Sequence, residues 1–392
     1  MTGPASLIMG VGNDAAVLVA SSHYRHRHYG PNHPLAIPRV SLTLDLIHAY
    51  NALTEHEFME GRPATVAELC RFHAPDYVHA LSRAEAFGHA TDEDRYRHHF
   101  GNAENPWFPG VFYTPALATG SSILGAEVVL GGRRAFSPAG GMHHALPDRA
   151  RGFCYFNDVV LAILRLKESG LRVLYLDLDA HHGDGVEQAF ANDPNVFTLS
   201  LHMDTAYAYP FRGGTITDQG GPTGEAACLN VPLPTGTHDM EYRLVFDVVW
   251  PRVLAQFRPD VVVVQAGTDA LFADPLGRLD LTTNEFLRVI GAVVRDAKRL
   301  LVVGGGGYHP LLLARCWTGV WGLLSGRSLP DEIPVEGVAA LRAADWDRDE
   351  DEPYYHRYFT HRLDEPRERM VRSALLELLE RLRAVHPVLH DL

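Results

Sequence analysis

The sequence predicts an α/β protein: a mostly parallel central sheet with helices on both faces. Three observations carry this. Short β-branched runs recur along the chain, helix-length segments separate them, and no internal repeat or Pro/Ser-rich linker breaks the alternation.

The candidate strands are Ala15 to Ala20, Val173 to Asp179, Val196 to Leu201, Val261 to Ala266 and Leu300 to Val303. Most are near-continuous apolar runs, as strands buried on both faces require. Helices are expected over Gly120 to Leu130, Asp158 to Glu168, Asp239 to Gln256 and Thr283 to Asp296. From Gly88 to Pro115 the chain is rich in Gly, Pro and His without clear periodicity, which predicts a long surface loop suited to a substrate rim. The acidic run Asp345 to Glu352 reads as a solvated connector. After it, Pro366 suits a first helical turn, and Met370, Val371, Leu375, Leu376, Leu379 and Leu382 predict an amphipathic closing helix ending near Val385. One domain is expected over residues 1–392, with a motif-bearing core of about 15–334 and a closing segment of about 335–392.

At 392 residues and 46% apolar content the chain has ample core without disulfides. Cys70, Cys154, Cys228 and Cys316 lie far apart with no Cys-x-x-Cys pair, so they read as small buried hydrophobes in a reducing compartment. Met1-Thr-Gly-Pro-Ala-Ser lacks a basic leader and no apolar run reaches membrane-span length, so a soluble cytoplasmic protein is expected. The formal net charge of −13, with no compensating Lys/Arg cluster, argues against direct nucleic-acid binding. Of the 22 histidines, most, including those around His23 to His28 and His98-His99, read as surface or satisfied core groups, which leaves those following apolar strands as the informative ones.

The most informative stretch is Val173-Leu-Tyr-Leu-Asp-Leu-Asp-Ala-His-His-Gly-Asp-Gly185, an apolar run that ends in three carboxylates and two imidazoles. Strand alternation starts Asp177, Asp179 and His181 on one face, at the strand end where open α/β sheets bind ligands; a metal ion is the natural partner for so much buried charge. Three more segments share the design. In Ser137-Pro-Ala-Gly-Gly-Met-His-His144 the tandem imidazoles alone favour a structural reading, but they titrate near working pH, as acid/base catalysis requires. In Val261-Val-Val-Val-Gln-Ala-Gly-Thr-Asp269 the carboxylate either caps the next helix or joins the cluster. Leu301-Val-Val-Gly-Gly-Gly-Gly-Tyr308 has neither nucleotide-binding glycine pattern, and a turn presenting the Tyr308 hydroxyl to a pocket fits better. Asp179, His181 and Asp269 together would leave a coordination position open, as catalytic zinc requires, and their oxygen-rich set also admits Fe(II) or Mn(II).

With these motifs in place, the chain closely resembles the zinc-dependent histone deacetylase family, and within it the bacterial acetoin-utilisation-type members. The resemblance runs from about Tyr29 to Pro334. It rests on Tyr29-Gly-Pro-Asn-His-Pro34, Gly140-Gly-Met-His-His-Ala145, Gly152-Phe-Cys-Tyr-Phe-Asn-Asp158, Asp177-Leu-Asp-Ala-His-His-Gly-Asp-Gly-Val186, and Gly304-Gly-Gly-Gly-Tyr308 with Ala314-Arg-Cys-Trp317 after it. It implies an arginase/deacetylase-like fold and Zn2+, with Fe2+ as the alternative, on Asp179, His181 and Asp269. It implies His144 as general base and acid with His143 beside it, Asp177 and Asp184 orienting the pair, and Tyr308 donating to the oxyanion. Gly152, Phe153 and Tyr209 would line a tunnel for the acyl-lysine stem, Leu276 would border the acyl pocket, and Arg39 would sit below the metal. A structural K+ would lie against Asp177, Asp179, His181, Ser200 and Leu201. Two departures stand out. Asn105 falls where eukaryotic members have a substrate-gripping rim aspartate, with one residue fewer in Glu104-Asn-Pro-Trp-Phe-Pro109, and Phe211-Arg212 replaces a short glycine turn after Tyr209-Pro210.

The expected reaction is hydrolysis of acetyl-lysine in proteins, an acetyl-CoA synthetase being one candidate partner; acetylpolyamine hydrolysis is the alternative. A two-manganese ureohydrolase of the same fold needs further bridging carboxylates, and this chain has Gly183 and Leu271 at the corresponding positions. A silent acyl-binding module would be expected to lose a ligand, His144 or Tyr308, and all are present.

Overall fold

The computed structural model describes residues 16–25, 29–30, 33–224, 226–346, 355–365, 367 and 369–390. Its strands are β1 (Ala16–Ala20), β2 (Phe58–Glu60), β3 (Arg134–Ser137), β4 (Val173–Asp177), β5 (Val196–Met203), β6 (Cys228–Leu233), β7 (Val261–Gln265) and β8 (Leu300–Val303). They form one sheet in the order β2-β1-β3-β8-β7-β4-β5-β6, every pair parallel. After β6 the chain returns to insert β7 and β8 between β4 and β3. The C-terminal ends of β3, β8, β7 and β4 thus lie side by side, where the winding changes direction and parallel sheets open a crevice.

The alternation of side chains decides what covers each face. Leu174, Leu176, Val262, Val264, Leu300 and Val302 join a core with residues of the helices Arg39–Ala49, Asp239–Phe257, Thr283–Asp296 and Pro310–Leu324. Their neighbours Val173, Tyr175, Val261, Val263, Leu301 and Val303 pack on the opposite face with residues of Tyr113–Leu130, Asp158–Lys167 and Asp184–Phe190. Each such side chain contributes about 1.5–3 kcal/mol by leaving water, which explains why these strands carry no polar alternation.

Several elements depart from the sequence expectation. β4 stops at Asp177, so Asp179 and His181 belong to the loop beyond it and share a site by loop geometry, not by strand pleat. β2 and β6 are additional strands at the two edges; β6 contains Pro232, whose missing N–H an edge strand tolerates. The helix expected from Gly120 starts at Tyr113, because Pro115 lies in its first turn, where amide hydrogens need no intrahelical acceptor. The stretch from Gly88 to Pro115 is not a featureless loop. It holds the helix Asp92–His98, entered through a capping box between Thr91 and Asp94, and buries Phe100, Phe108 and Val111.

The closing helix spans Ser373–Val385, so Met370, 89% exposed, precedes it. Leu375, Leu378, Leu379 and Leu382 join the same core as the sheet, while Leu376 faces outward. A further helix, Val335–Ala343, precedes it in the closing segment. Ala15, His26 to His28, Pro31, Asn32, Pro366 and positions 347–352 of the acidic run lie outside the described residues. All four cysteines are free, and no helix among the described residues is long and apolar enough to cross a membrane.

Leu382→Ala is expected to cost about 2–5 kcal/mol of stability, the range for truncating a fully buried leucine, and Leu376→Ala less than about 0.5 kcal/mol. Urea unfolding of the two variants measures the difference; equal losses would show that the helix does not pack on the sheet through Leu382.

Candidate active site

Four loops at neighbouring strand ends converge. The loop after β4 carries Asp179 and His181, and the loop after β7 carries Asp269. One ligand atom from each lies within 4.8 Å of the other two. His181 Nδ1 is 2.9 Å from Asp269 Oδ2 and 3.2 Å from Asp179 Oδ1. Asp179 Oδ2 accepts from Gln265 Nε2 and from the Gly306 amide, both at 2.7 Å, while Ala180 N donates to Asp269 Oδ1 at 2.8 Å. The four-glycine run after β8 is what lets the backbone reach these carboxylates: a Cβ on Gly306 would stand 2.0 Å from Asp269 Oδ2.

Both carboxylates are almost fully buried. Burial, and then the charge of Asp179, push the proton affinity of Asp269 upward. Burial also opposes a charge on His181, but the two aspartates outweigh it and raise its affinity well above the usual imidazole range. Two desolvated acids this close need a cation between them. Two carboxylates and one imidazole, with His181 facing an open cavity, fit a divalent transition metal that keeps a free position.

The imidazole pair stands beside this cluster. His143 Nδ1 lies 2.8 Å from Asp177 Oδ2, which also accepts from the Tyr175 hydroxyl at 2.6 Å. His144 Nδ1 lies 2.8 Å from Asp184 Oδ1, and the two Nε2 atoms are 3.0 Å apart. Their environments separate them. Burial and the charge of His143 depress His144 to about 3 against the pull of Asp184. Burial opposes protonation of His143 too, but Asp177 and Asp179 prevail and raise it to about 9. Near neutral pH one ring is an imidazolium and the other a neutral base, a division that suits proton transfer. Burial likewise works against the Asp184 carboxylate, yet its hydrogen bond to His144, with the charge of Arg151, holds it below the usual range.

Gly183 marks the limit of the cluster. A Cβ there would stand 2.3 Å from Asp177 Oδ2 and 3.2 Å from His143 Nδ1, so no carboxylate fits where a second metal would need one.

A cavity of about 360 Å³ reaches His144, His181 and Tyr308 and is walled by Gly152, Phe153, Tyr209 and Leu276, which brings every expected tunnel residue to one place. The Tyr209 ring stands edge-on to His144 at 4.9 Å, and Phe153 edge-on to Tyr308 at 6.1 Å. Tyr308 is fixed through its amide, which donates to Asp274 Oδ2 at 2.7 Å. Arg39 is buried over the Trp317 ring and donates to the Gly305 carbonyl; it lines both the recess beneath Asp179 and His181 and an adjoining cavity beside Tyr24 and Tyr29. Ser200 pairs in register with Asp177 at the end of β4, with its hydroxyl 2.8 Å from His202 Nδ1, and Leu201 follows it within β5.

Asn105 is the correction. It is fully buried, donates to the His99 carbonyl at 3.1 Å and accepts from Phe153 N at 2.9 Å, and so pins the loop instead of facing substrate. The preceding helix ends with His99 in a left-handed conformation, and its carbonyl accepts from both Asn102 and Asn105. In the shortened loop the neighbouring Glu104 takes the rim, where its Oε1 accepts from Gly152 N at 2.6 Å and from the Tyr209 hydroxyl at 3.0 Å. Gln265, Asp274, Glu104 and Arg151 were not legible as site residues. Only Gln265 gave a signal, as a polar residue inside an otherwise apolar strand.

Gly306→Ala is expected to lower metal affinity about 10- to 100-fold, the scale for disturbing groups that orient ligands. Zinc titration against a competing chelator reads this directly, and unchanged affinity would show that the close approach of the glycine loop is not needed.

A histone deacetylase domain model matches residues 33–324. Histone deacetylase B of Dictyostelium discoideum is 37% identical over 321 residues, covering 81% of this chain and 75% of its own. Histone deacetylase 8 of Xenopus tropicalis is 37% identical over 298 residues, covering 76% and 80%. Some relatives are longer: the match spans 59% of histone deacetylase 1 of Oryza sativa. The crystal structure of a histone deacetylase homologue from Aquifex aeolicus superposes with a TM-score of 0.90 at 38% identity, covering 94% of this chain and all of that one. A domain match over most of the chain and relatives of this similarity, on a sheet whose strand ends gather these aspartates and histidines, place the protein in the histone deacetylase family.

Proposed function

We propose that this chain hydrolyses the acetyl amide of lysine side chains in proteins, releasing acetate and free lysine. The observation that carries the reading is the cavity whose aromatic walls, Phe153 and Tyr209, lead to His144, Tyr308 and the Asp179-His181-Asp269 cluster.

Zinc, or Fe(II), held by Asp179, His181 and Asp269 would supply Lewis acidity to the amide carbonyl and acidify a bound water. Phe153 and Tyr209 hold the lysine stem and exclude water from it. His144, anchored at Nδ1 by Asp184, takes the proton of the attacking water at Nε2, which must exchange its 3.0 Å contact with His143 Nε2 for that water. His143, held protonated by Asp177, places a positive charge beside the charge that develops. The Tyr308 hydroxyl donates to the tetrahedral oxyanion, and His144 then returns its proton to the leaving lysine Nζ. A structural K+ on Asp177, Asp179, His181, Ser200 and Leu201 belongs to the same reading, as do a cytoplasmic setting, the acetoin-utilisation subtype and an acetylated metabolic enzyme such as an acetyl-CoA synthetase as substrate. Acetylpolyamine hydrolysis is the second reading. The Glu104 carboxylate at the cavity mouth and the net charge of −13 favour a cationic small molecule.

Metal-reconstituted protein, assayed on acyl-lysine peptides beside acetylspermidine with His144→Ala as the blank, is expected to prefer the peptides; a preference for acetylspermidine establishes the second reading, and no turnover with zinc, Fe(II) or cobalt removes both. Tyr308→Phe is expected to lower turnover by about 10²-fold or more, the scale for losing an oxyanion donor. An undiminished rate would remove Tyr308 from the mechanism.

A further inference from the structure

Arg151 lies between the orienting carboxylate of the general base and the tunnel wall. Its side chain is 14% exposed, with Nη1 3.1 Å from Asp184 Oδ2. Its Nε donates to the Tyr209 hydroxyl at 3.1 Å, and the guanidinium sits 5.7 Å from the centre of the same ring. Tyr209 in turn donates to Glu104 Oε1 at 3.0 Å, where Gly152 N also donates. A continuous row of polar contacts thus runs from His144 Nδ1 through Asp184, Arg151 and Tyr209 to a carboxylate at the mouth.

We propose that Arg151 is a positioning residue for the hydrolysis, holding Asp184 against His144 and Tyr209 against the mouth so that the general base and the tunnel wall move as one unit. Asp184 uses Oδ1 for His144 and Oδ2 for Arg151, so the guanidinium holds the second oxygen and with it the orientation of the carboxylate. The backbone of Arg151 is itself fixed, since its N–H and carbonyl exchange hydrogen bonds of 2.9 Å with Cys154. The choice of arginine follows from the geometry: a planar guanidinium directs two N–H groups at two partners in a fixed fork, and an ammonium does not. The polar contacts of the Arg151 side chain go to Asp184 and Tyr209 and not to the Asp179-His181-Asp269 cluster.

The kinetic consequence rests on the deacetylase reading. Arg151→Ala is expected to lower kcat about 10- to 100-fold with KM changed far less and bound metal unchanged, and Arg151→Lys to recover part of the loss. In a cycle with Asp184→Asn the two losses overlap, because both act on one hydrogen bond. Additive losses, or a kcat that survives Arg151→Ala, would overturn the proposal. A second arm needs no turnover. The downfield proton of His144 Nδ1, assigned by its absence in His144→Ala, is expected in the wild-type NMR spectrum and to vanish or shift in Arg151→Ala of unchanged circular dichroism. An unchanged resonance overturns the proposal whatever the enzyme hydrolyses, whereas a wild-type protein without turnover counts against the deacetylase reading alone.

Discussion

Two aspartates buried at adjacent strand ends, Asp179 and Asp269, are the constraint around which the rest of the site is arranged. Carboxylates in so dry a place repel one another and resist ionisation unless a cation lies between them. Their remaining valence is met by donors from the protein: Gln265 and the Gly306 amide on Asp179, and the Ala180 amide on Asp269. These donors come from β7 and from the loops after β4 and β8, so the parallel order of the central strands is what assembles them. The glycine run is the price of that convergence, since any side chain at Gly306 would occupy the space of the Asp269 carboxylate.

The same logic of environment divides the paired histidines. They adjoin in sequence and touch through their Nε2 atoms, yet each is anchored at Nδ1 by a different aspartate. Asp177 is inaccessible to solvent and keeps His143 charged, and that charge helps to keep His144 neutral. The single positive charge of the pair is thereby assigned to one ring, which leaves the other neutral and able to act as a base. Gly183 belongs to this arrangement as well: the room beside Asp177 and His143 is too small for a further side chain.

The strands and their chemistry were legible in the sequence because a run buried on both faces has to be apolar and its charged ending has no other explanation. The roles of Asp179, His181 and Asp269 were readable for that reason, and the spatial cluster agrees. Edge elements, and the bounds of the short interior strand β3 with its Arg134 and Ser137, were not. β2 and β6 are short, and β6 carries asparagine and proline, which edge positions allow and sequence patterns penalise. The rim was misread because loop length, not residue type, decides which side chain reaches the mouth. Asn105 is held inward by its hydrogen bonds to the His99 carbonyl and the Phe153 amide, and Glu104 takes its place. Arg151 had no signal at all, since its partners Asp184 and Tyr209 lie 33 and 58 positions away in the chain.

The central claim is that the buried acid cluster exists to hold one divalent ion. Calorimetric titration of zinc into metal-free protein, repeated in buffers of different ionisation enthalpy, tests it most directly. The structure predicts one ion per chain with net proton release, because a histidine and an aspartate whose proton affinities are raised must give up protons to bind metal. Two ions per chain, or binding without proton release that persists in Asp269→Asn, would contradict it.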